Sequence, residues 1–138
     1  MMTQSRVALG NQRSLDNVAY REAHGSIPPT STIRTREALS WVTVAGAKML
    51  GQFDRIGSLA PGKQADLVLI RADDLNMQPV HDAVSTVVMQ TTLANIDSVM
   101  VAGRWKKRAG RLLDADLAPK LAALRASGTK IASALGLA

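Results

Sequence analysis

The sequence predicts an α+β fold, and three observations carry that prediction. Apolar residues at steps of three and four mark helices near both ends of the chain and from Thr35 onward. The run "ADLVLI" (65–70) is unbroken and of strand length. Two Gly turns, Ala102-Gly103 and Ala109-Gly110, divide a stretch rich in Val, Met and Trp into short strands.

Bulk properties narrow the class. At 138 residues the chain suits one domain or part of a larger one. Apolar residues make up 46% and aromatics only 3%, so the core must be built from Leu, Val, Ile, Ala and Met. There is no cysteine, which excludes disulfides and thiolate metal sites and fits a reducing compartment. The first residues, "MMTQSRVALGNQRS", lack the apolar stretch of a signal peptide. No run approaches the roughly 20 apolar residues that span a bilayer. We therefore expect a cytoplasmic protein without a membrane partner.

Taken in order, residues 3–22 read as a helix with Val7, Ala8, Leu15, Val18 and Ala19 on one side. "HGSIPPTST" (24–32) ends it, because Gly25 and Pro28-Pro29 do not continue a helix. Thr35 opens the next helix, "REALSWVTVAGAKML", with an expected stripe of Ala38, Trp41, Val42, Ala45 and Met49. Gly51 stands where a left-handed residue closes a helix. The small residues Ala45, Gly46 and Ala47 would let another backbone come close.

"IGSLAPGKQADLVLI" (56–70) reads as a hairpin running into a strand buried on both faces. In "APGK", Pro61 fixes φ and Gly62 accepts positive φ, as a type II turn requires. A polar loop over 72–82 leads to a short helix at Ala83–Gln90 with Asp82 as its cap. The last element is a helix from Asp114 to about Leu135, with Leu117, Leu121, Leu124, Ile131 and Leu135 as its stripe. Pro119 is tolerated in its first turn if Asp116 caps, and Gly128 is a candidate break.

The sequence carries few residues in chemically suggestive arrangements. His24 and His81 lie far apart in loops, with no His-x-His or His-x-x-x-His. Asp16, Asp54, Asp66, Asp73, Asp74, Asp82, Asp97, Asp114 and Asp116 mostly sit where Asp caps a helix or bounds a strand. No Gly-x-Ser-x-Gly elbow is present. "GSLAPGK" fails as a phosphate loop on its Gly spacing and on Gln64 after Lys63. The net charge of +6 concentrates in "RWKKRAGR" (104–111), which reads as a solvated hairpin. Nucleic-acid binding ranks last, since Trp105 alone is a poor stacking platform.

"REALSWVTVAGAKMLG…IGSLAPGKQADLVLI" resembles the C-terminal part of the amidohydrolase superfamily, in the branch of cytosine deaminase-like and triazine hydrolase-like enzymes. There the last barrel helix reads like "EALxxxTxxGAxxLG" and is followed by "IGSLxPGKxADLVxx". The matching residues are Glu37, Ala38, Leu39, Thr43, Gly46, Ala47, Leu50 and Gly51, then Ile56 to Leu59, Pro61 to Lys63, and Ala65 to Val68. "HDAVSTVVMQ" and "VMVAGRWKKRAGRLL" are similar to the family's ending. The resemblance spans roughly residues 35–125.

It implies a metal-dependent hydrolase whose full-length form holds zinc or iron in a distorted (β/α)₈ barrel beside a small β-sandwich. Metal-activated water would attack a carbon bearing nitrogen or halogen. On this resemblance residues 1–55 would be the last barrel helices, 56–113 part of the composite sandwich and 114–138 a C-terminal helix, leaving an incomplete barrel. The family's metal-binding histidines have no counterpart here, and Asp16 has no apolar strand before it to make it the family's Asp. We therefore assign no catalytic, cofactor-binding or metal-ligating residue and expect the chain alone to be inactive. The chain reads as a truncated or separately encoded C-terminal piece. Its expected partners are further copies of itself or the missing N-terminal part of the enzyme.

Overall fold

The computed structural model describes residues 2–113 and 116–137. Helix α1 (Met2–His24) leads through an irregular loop to α2 (Thr35–Ser40). A π-helical segment (Trp41–Ala45) and α3 (Gly46–Met49) follow without a break. Strand β1 (Leu67–Ile70), α4 (Ala83–Gln90), β2 (Ile96–Val101), β3 (Arg104–Arg108), β4 (Arg111–Leu112) and α5 (Leu117–Ala134) complete the order. The strands form one antiparallel sheet in the order β1-β2-β3-β4. The fold is thus mixed helix and small antiparallel sheet, in agreement with the α+β expectation. No described helix is long and apolar enough to cross a membrane.

Local signals are where the sequence reading holds. Asp82 Oδ2 accepts from Ser85 N at 2.8 Å and caps α4. Ala102-Gly103 and Ala109-Gly110 both take positive φ at each residue, the geometry of tight hairpin turns. Gly51 closes α3 at φ +64°, and Gly62 turns at φ +84° with Lys63 N bonding Ala60 O. The expected backbone approach to Ala45–Ala47 is made by Gly57. A Cβ built there would lie 2.5 Å from Ala47 Cβ and 3.2 Å from Thr43 O.

Burial departs from the sequence reading. On α1 the buried residues are Ser5 and Leu9, while Val7, Leu15 and Val18 face solvent. The packed side of α1 works through polar groups instead. Ser5 Oγ donates to Ala38 O at 3.0 Å, and Arg13 Nε to Ile33 O at 3.0 Å. Arg6 reaches Val88 O and Thr91 O at 3.1 and 2.9 Å, where α4 leaves carbonyls without helical partners. The core formed by α1, α2 and α4 is small: Leu9, Ala38 and Val88, with Ile33, Leu39 and Trp41 packed around it.

The π segment shifts the stripe of the second helix. Its extra residue turns the following positions about the axis. Ala47 is therefore buried, Ala45 is exposed and Met49 is 83% exposed. Two further expectations fail. Residues 56–66 form an irregular loop rather than the first arm of a hairpin, and β1 pairs with β2. β1 lies at the sheet edge, and its Val68 and Leu69 are 54% and 49% exposed rather than buried on both faces. Helix α5 runs through Gly128 unbroken, and of its expected stripe Leu117 is half-buried while Leu121, Leu124, Ile131 and Leu135 are exposed. The expected start of that helix at Asp114 lies outside the described residues.

Candidate functional site

Several of the titratable groups singled out in the sequence are engaged in structural bonds. His24 ends α1, stacks on Tyr20 with centroids 4.1 Å apart and bonds the Tyr20 carbonyl at 3.0 Å. His81 lies in the loop before α4. Asp16 accepts from Gln12 Nε2 at 2.8 Å and from Thr32 Oγ1, tying the 25–34 loop to α1. Those bonds, Thr32 first, hold the Asp16 carboxyl below its ordinary value. Asp66 Oδ1 accepts from Ala102 N at 2.6 Å and secures the first hairpin turn. The described residues contain no group of three or more His, Cys, Asp or Glu that could hold a metal. They do not fit the family's metal centre, and Asp114 lies outside them.

A buried polar network is the feature that sequence reasoning missed. Asn95 is fully buried. Its Nδ2 donates to Asp74 Oδ2 at 2.6 Å and to Asn76 Oδ1 at 2.9 Å. Its Oδ1 accepts from Thr92 N and Thr92 Oγ1 at 2.8 Å each and from Asn76 Nδ2 at 3.0 Å. Arg71 closes the network on Asp74 at 3.3 Å and on Ala94 O at 2.9 Å. The Asn95 amide and then Arg71 hold the Asp74 carboxyl below its ordinary value. A carboxylate so stabilised stays ionised near neutral pH, so it accepts hydrogen bonds and cannot act as a general acid. The network locks the 71–78 segment onto the start of β2. Only the Thr92–Asn95 spacing, a capping pattern, hinted at it.

Lys63, the lysine of the rejected phosphate loop, is a loop anchor. Its Nζ donates to the Phe53 carbonyl and to Ile56 O at 3.3 Å, and lies 3.6 Å from the Phe53 ring centroid.

The surface also carries concavities. An open groove of about 660 Å³ lies where the 25–34 loop, the start of α2 and the start of α4 meet α1. Arg13, Arg34 and Arg36 line it, with Thr30, Ser31, Thr35 and Ser85, one carboxylate (Asp82) and the apolar Val84 and Met89. Thr35 Oγ1 and Ser85 Oγ share a hydrogen bond of 2.9 Å. Asp82 is held below its ordinary value first by Ser85, with a smaller contribution from the charge of Arg36.

Comparison with known proteins identifies the scaffold. The amidohydrolase family model matches residues 3–106. The match thus begins well before the motif-bearing region at 35, within α1, whose sequence carries no punctuating motif. An 8-oxoguanine deaminase of Pseudomonas aeruginosa is 40% identical over 94 residues, covering 68% of this chain and 20% of that protein. A zinc-bound adenosine deaminase of Xanthomonas campestris superposes on 96% of this chain and 28% of its own, with a TM-score of 0.82 at 29% identity. A zinc complex of an atrazine chlorohydrolase of Arthrobacter aurescens covers 86% of this chain and 25% of its own, with a TM-score of 0.64 at 30% identity. The chain spans about a fifth of the length of the curated deaminase and about a quarter of the solved structures. With three quarters of its residues inside the family match, the chain belongs to the amidohydrolase family.

Proposed function

We propose that this chain is the C-terminal portion of a metal-dependent amidohydrolase-type enzyme of the cytoplasm. The complete enzyme hydrolyses C–N bonds, other than peptide bonds, in cyclic or nitrogen-rich substrates. Aminopurines are the first substrates to test, since a matched relative is an 8-oxoguanine deaminase and a structural neighbour an adenosine deaminase. In this reading α1 and the α2–α3 helix are terminal helices of an incomplete (β/α)₈ barrel. The β-sheet contributes to the small sandwich, and the zinc or iron site is carried by residues other than those described here. On this reading the chain alone is inactive.

The observation that supports this most is the excess of surface. The chain exposes 10,166 Å². A compact monomer of 14.7 kDa exposes about 6,900 Å². The difference, roughly 3,000 Å², is in the range of an obligate interface. Much of it is apolar: the outer face of α1, edge strand β1 and helix α5 all present large aliphatic side chains. The rest of a barrel and sandwich would cover such faces.

The deciding experiment extends the reading frame upstream of Met1 and assays the product. The expected result is an in-frame His-x-His and metal-dependent ammonia release from an aminopurine, absent for this chain alone. Stoichiometric zinc and turnover with this chain alone would overturn the absence of a metal site. A second reading is favoured by the same exposed faces: a non-catalytic module that associates with itself. No upstream motif, together with a discrete homo-oligomer in sedimentation, selects that reading.

A further inference from the structure

We propose that the groove between α1, the start of α2 and the start of α4 binds a small organic phosphate. This inference does not depend on the catalytic reading of the family. The groove's volume, about 660 Å³, falls within the range of small-molecule sites. Arg13, Arg34 and Arg36 bring three guanidinium groups to it from positions up to 23 residues apart. Each offers a planar fork of donors suited to phosphate oxygens. Among the described residues no carboxylate lies within ion-pairing distance of the three arginines. The single carboxylate of the groove, Asp82, already accepts the Ser85 N–H as helix cap. Its charge opposes an anion but is outnumbered three to one.

The arginines are held in different ways, and this separates their roles. Arg13 is half-buried and fixed by its bond to Ile33 O, so it forms part of the wall. Arg34 and Arg36 flank Thr35 at the first turn of α2 and are exposed. They can close on a ligand from solvent. The hydroxyls of Thr30 and Ser31 add neutral donors suited to phosphate oxygens. Val84 and Met89 give the groove an apolar patch that inorganic phosphate would leave uncovered. The combination of charge, hydroxyls and apolar wall selects a phosphate ester over free phosphate.

The test titrates the chain with inorganic phosphate, phenyl phosphate and phenol by calorimetry at low and moderate salt. Phenyl phosphate is expected to bind more tightly than inorganic phosphate, phenol not to bind, and the affinity of both phosphates to fall with salt. Arg34→Gln and Arg36→Gln should each weaken phenyl phosphate binding by about tenfold, the loss of one charge-assisted contact. Arg104→Gln removes an equal charge on β3 and should change nothing. Arg34→Lys keeps the charge, loses the fork and should give an intermediate loss, which keeps the test valid if the Gln variant folds poorly. Absence of saturable phosphate binding, equal affinity for phosphate and phenyl phosphate, or an equal effect of Arg104→Gln would overturn the proposal.

Discussion

The cluster of α1, α2 and α4 and the exposed faces of α1, β1 and α5 are built from opposite kinds of residue. In the cluster very little apolar surface is buried, yet the helices are tied by polar side chains to one another's carbonyls. On the outer faces apolar side chains are plentiful and exposed. The contrast shows that the most conspicuous amphipathic patterns lie on exposed faces, and that the contacts within the cluster are made by less conspicuous residues.

The sharpest way to break this contrast is to attack the small core. Leu9→Ala should destabilise the chain by about 3 kcal/mol, the usual cost of a large-to-small change at a site with little room to collapse. Leu9 is fully buried against Ala38 and Val88. Chemical denaturation followed by circular dichroism would measure it. A loss under about 1 kcal/mol would show that the cluster does not depend on its core.

Gly57→Ala comes next, at about 2 kcal/mol or more. The residue sits at φ +91°, and the added Cβ would overlap Ala47 Cβ at 2.5 Å. It probes the contact by which the 56–66 loop seats on the π segment and α3. Gly62→Ala is a useful contrast, since Gly62 has φ +84° but open space around it. The difference between the two separates steric overlap from backbone strain.

These positions show which parts of the fold are legible in the sequence. Asp82, Gly51, Gly62 and the two Ala-Gly turns act through their own backbone and nearest neighbours, so their roles can be read from a few residues. The stripes of α1 and α5 are apolar yet exposed, and no local rule says which side of a helix its neighbours will cover. The shifted stripe after Ser40 depends on one extra residue in a helical turn, which the apolar pattern from 38 to 49 does not reveal. The groove was illegible for another reason. Arg13 joins Arg34 and Arg36 only because the 25–34 loop folds back along α1, held by Thr32 on Asp16.

Arg6→Gln tests the polar half of the contrast. It removes two hydrogen bonds from a cation to the carbonyls of Val88 and Thr91. The expected loss is about 1.5 kcal/mol, since charged donors contribute more than neutral ones. Asp82→Ala should lower the melting midpoint by less, through loss of the α4 cap. Its folded-state carboxyl is held below the ordinary value of 3.8. The stabilisation from the charged cap is therefore present above that value and lost as pH falls through the lower folded-state value. Parent and variant melting curves should converge as the pH is taken well below the ordinary carboxylate range. A gap that persists in acid would mean that the cap acts through its shape rather than its charge.

The smallest effect on stability is expected where the amphipathic pattern is strongest. Leu15→Gln and Val18→Gln on α1 replace exposed side chains with polar ones of helix-compatible shape. Folding stability should change by less than about 0.5 kcal/mol for each. If the outer face of α1 meets a partner surface, the same changes should instead weaken association, seen as a shift toward monomer in sedimentation or as loss of binding to the remainder of the enzyme. A fall in stability as large as that of Leu9→Ala, with no change in association, would reverse the argument. It would mean that α1 packs in solution by its apolar stripe and that Ser5, Arg6 and Leu9 face outward.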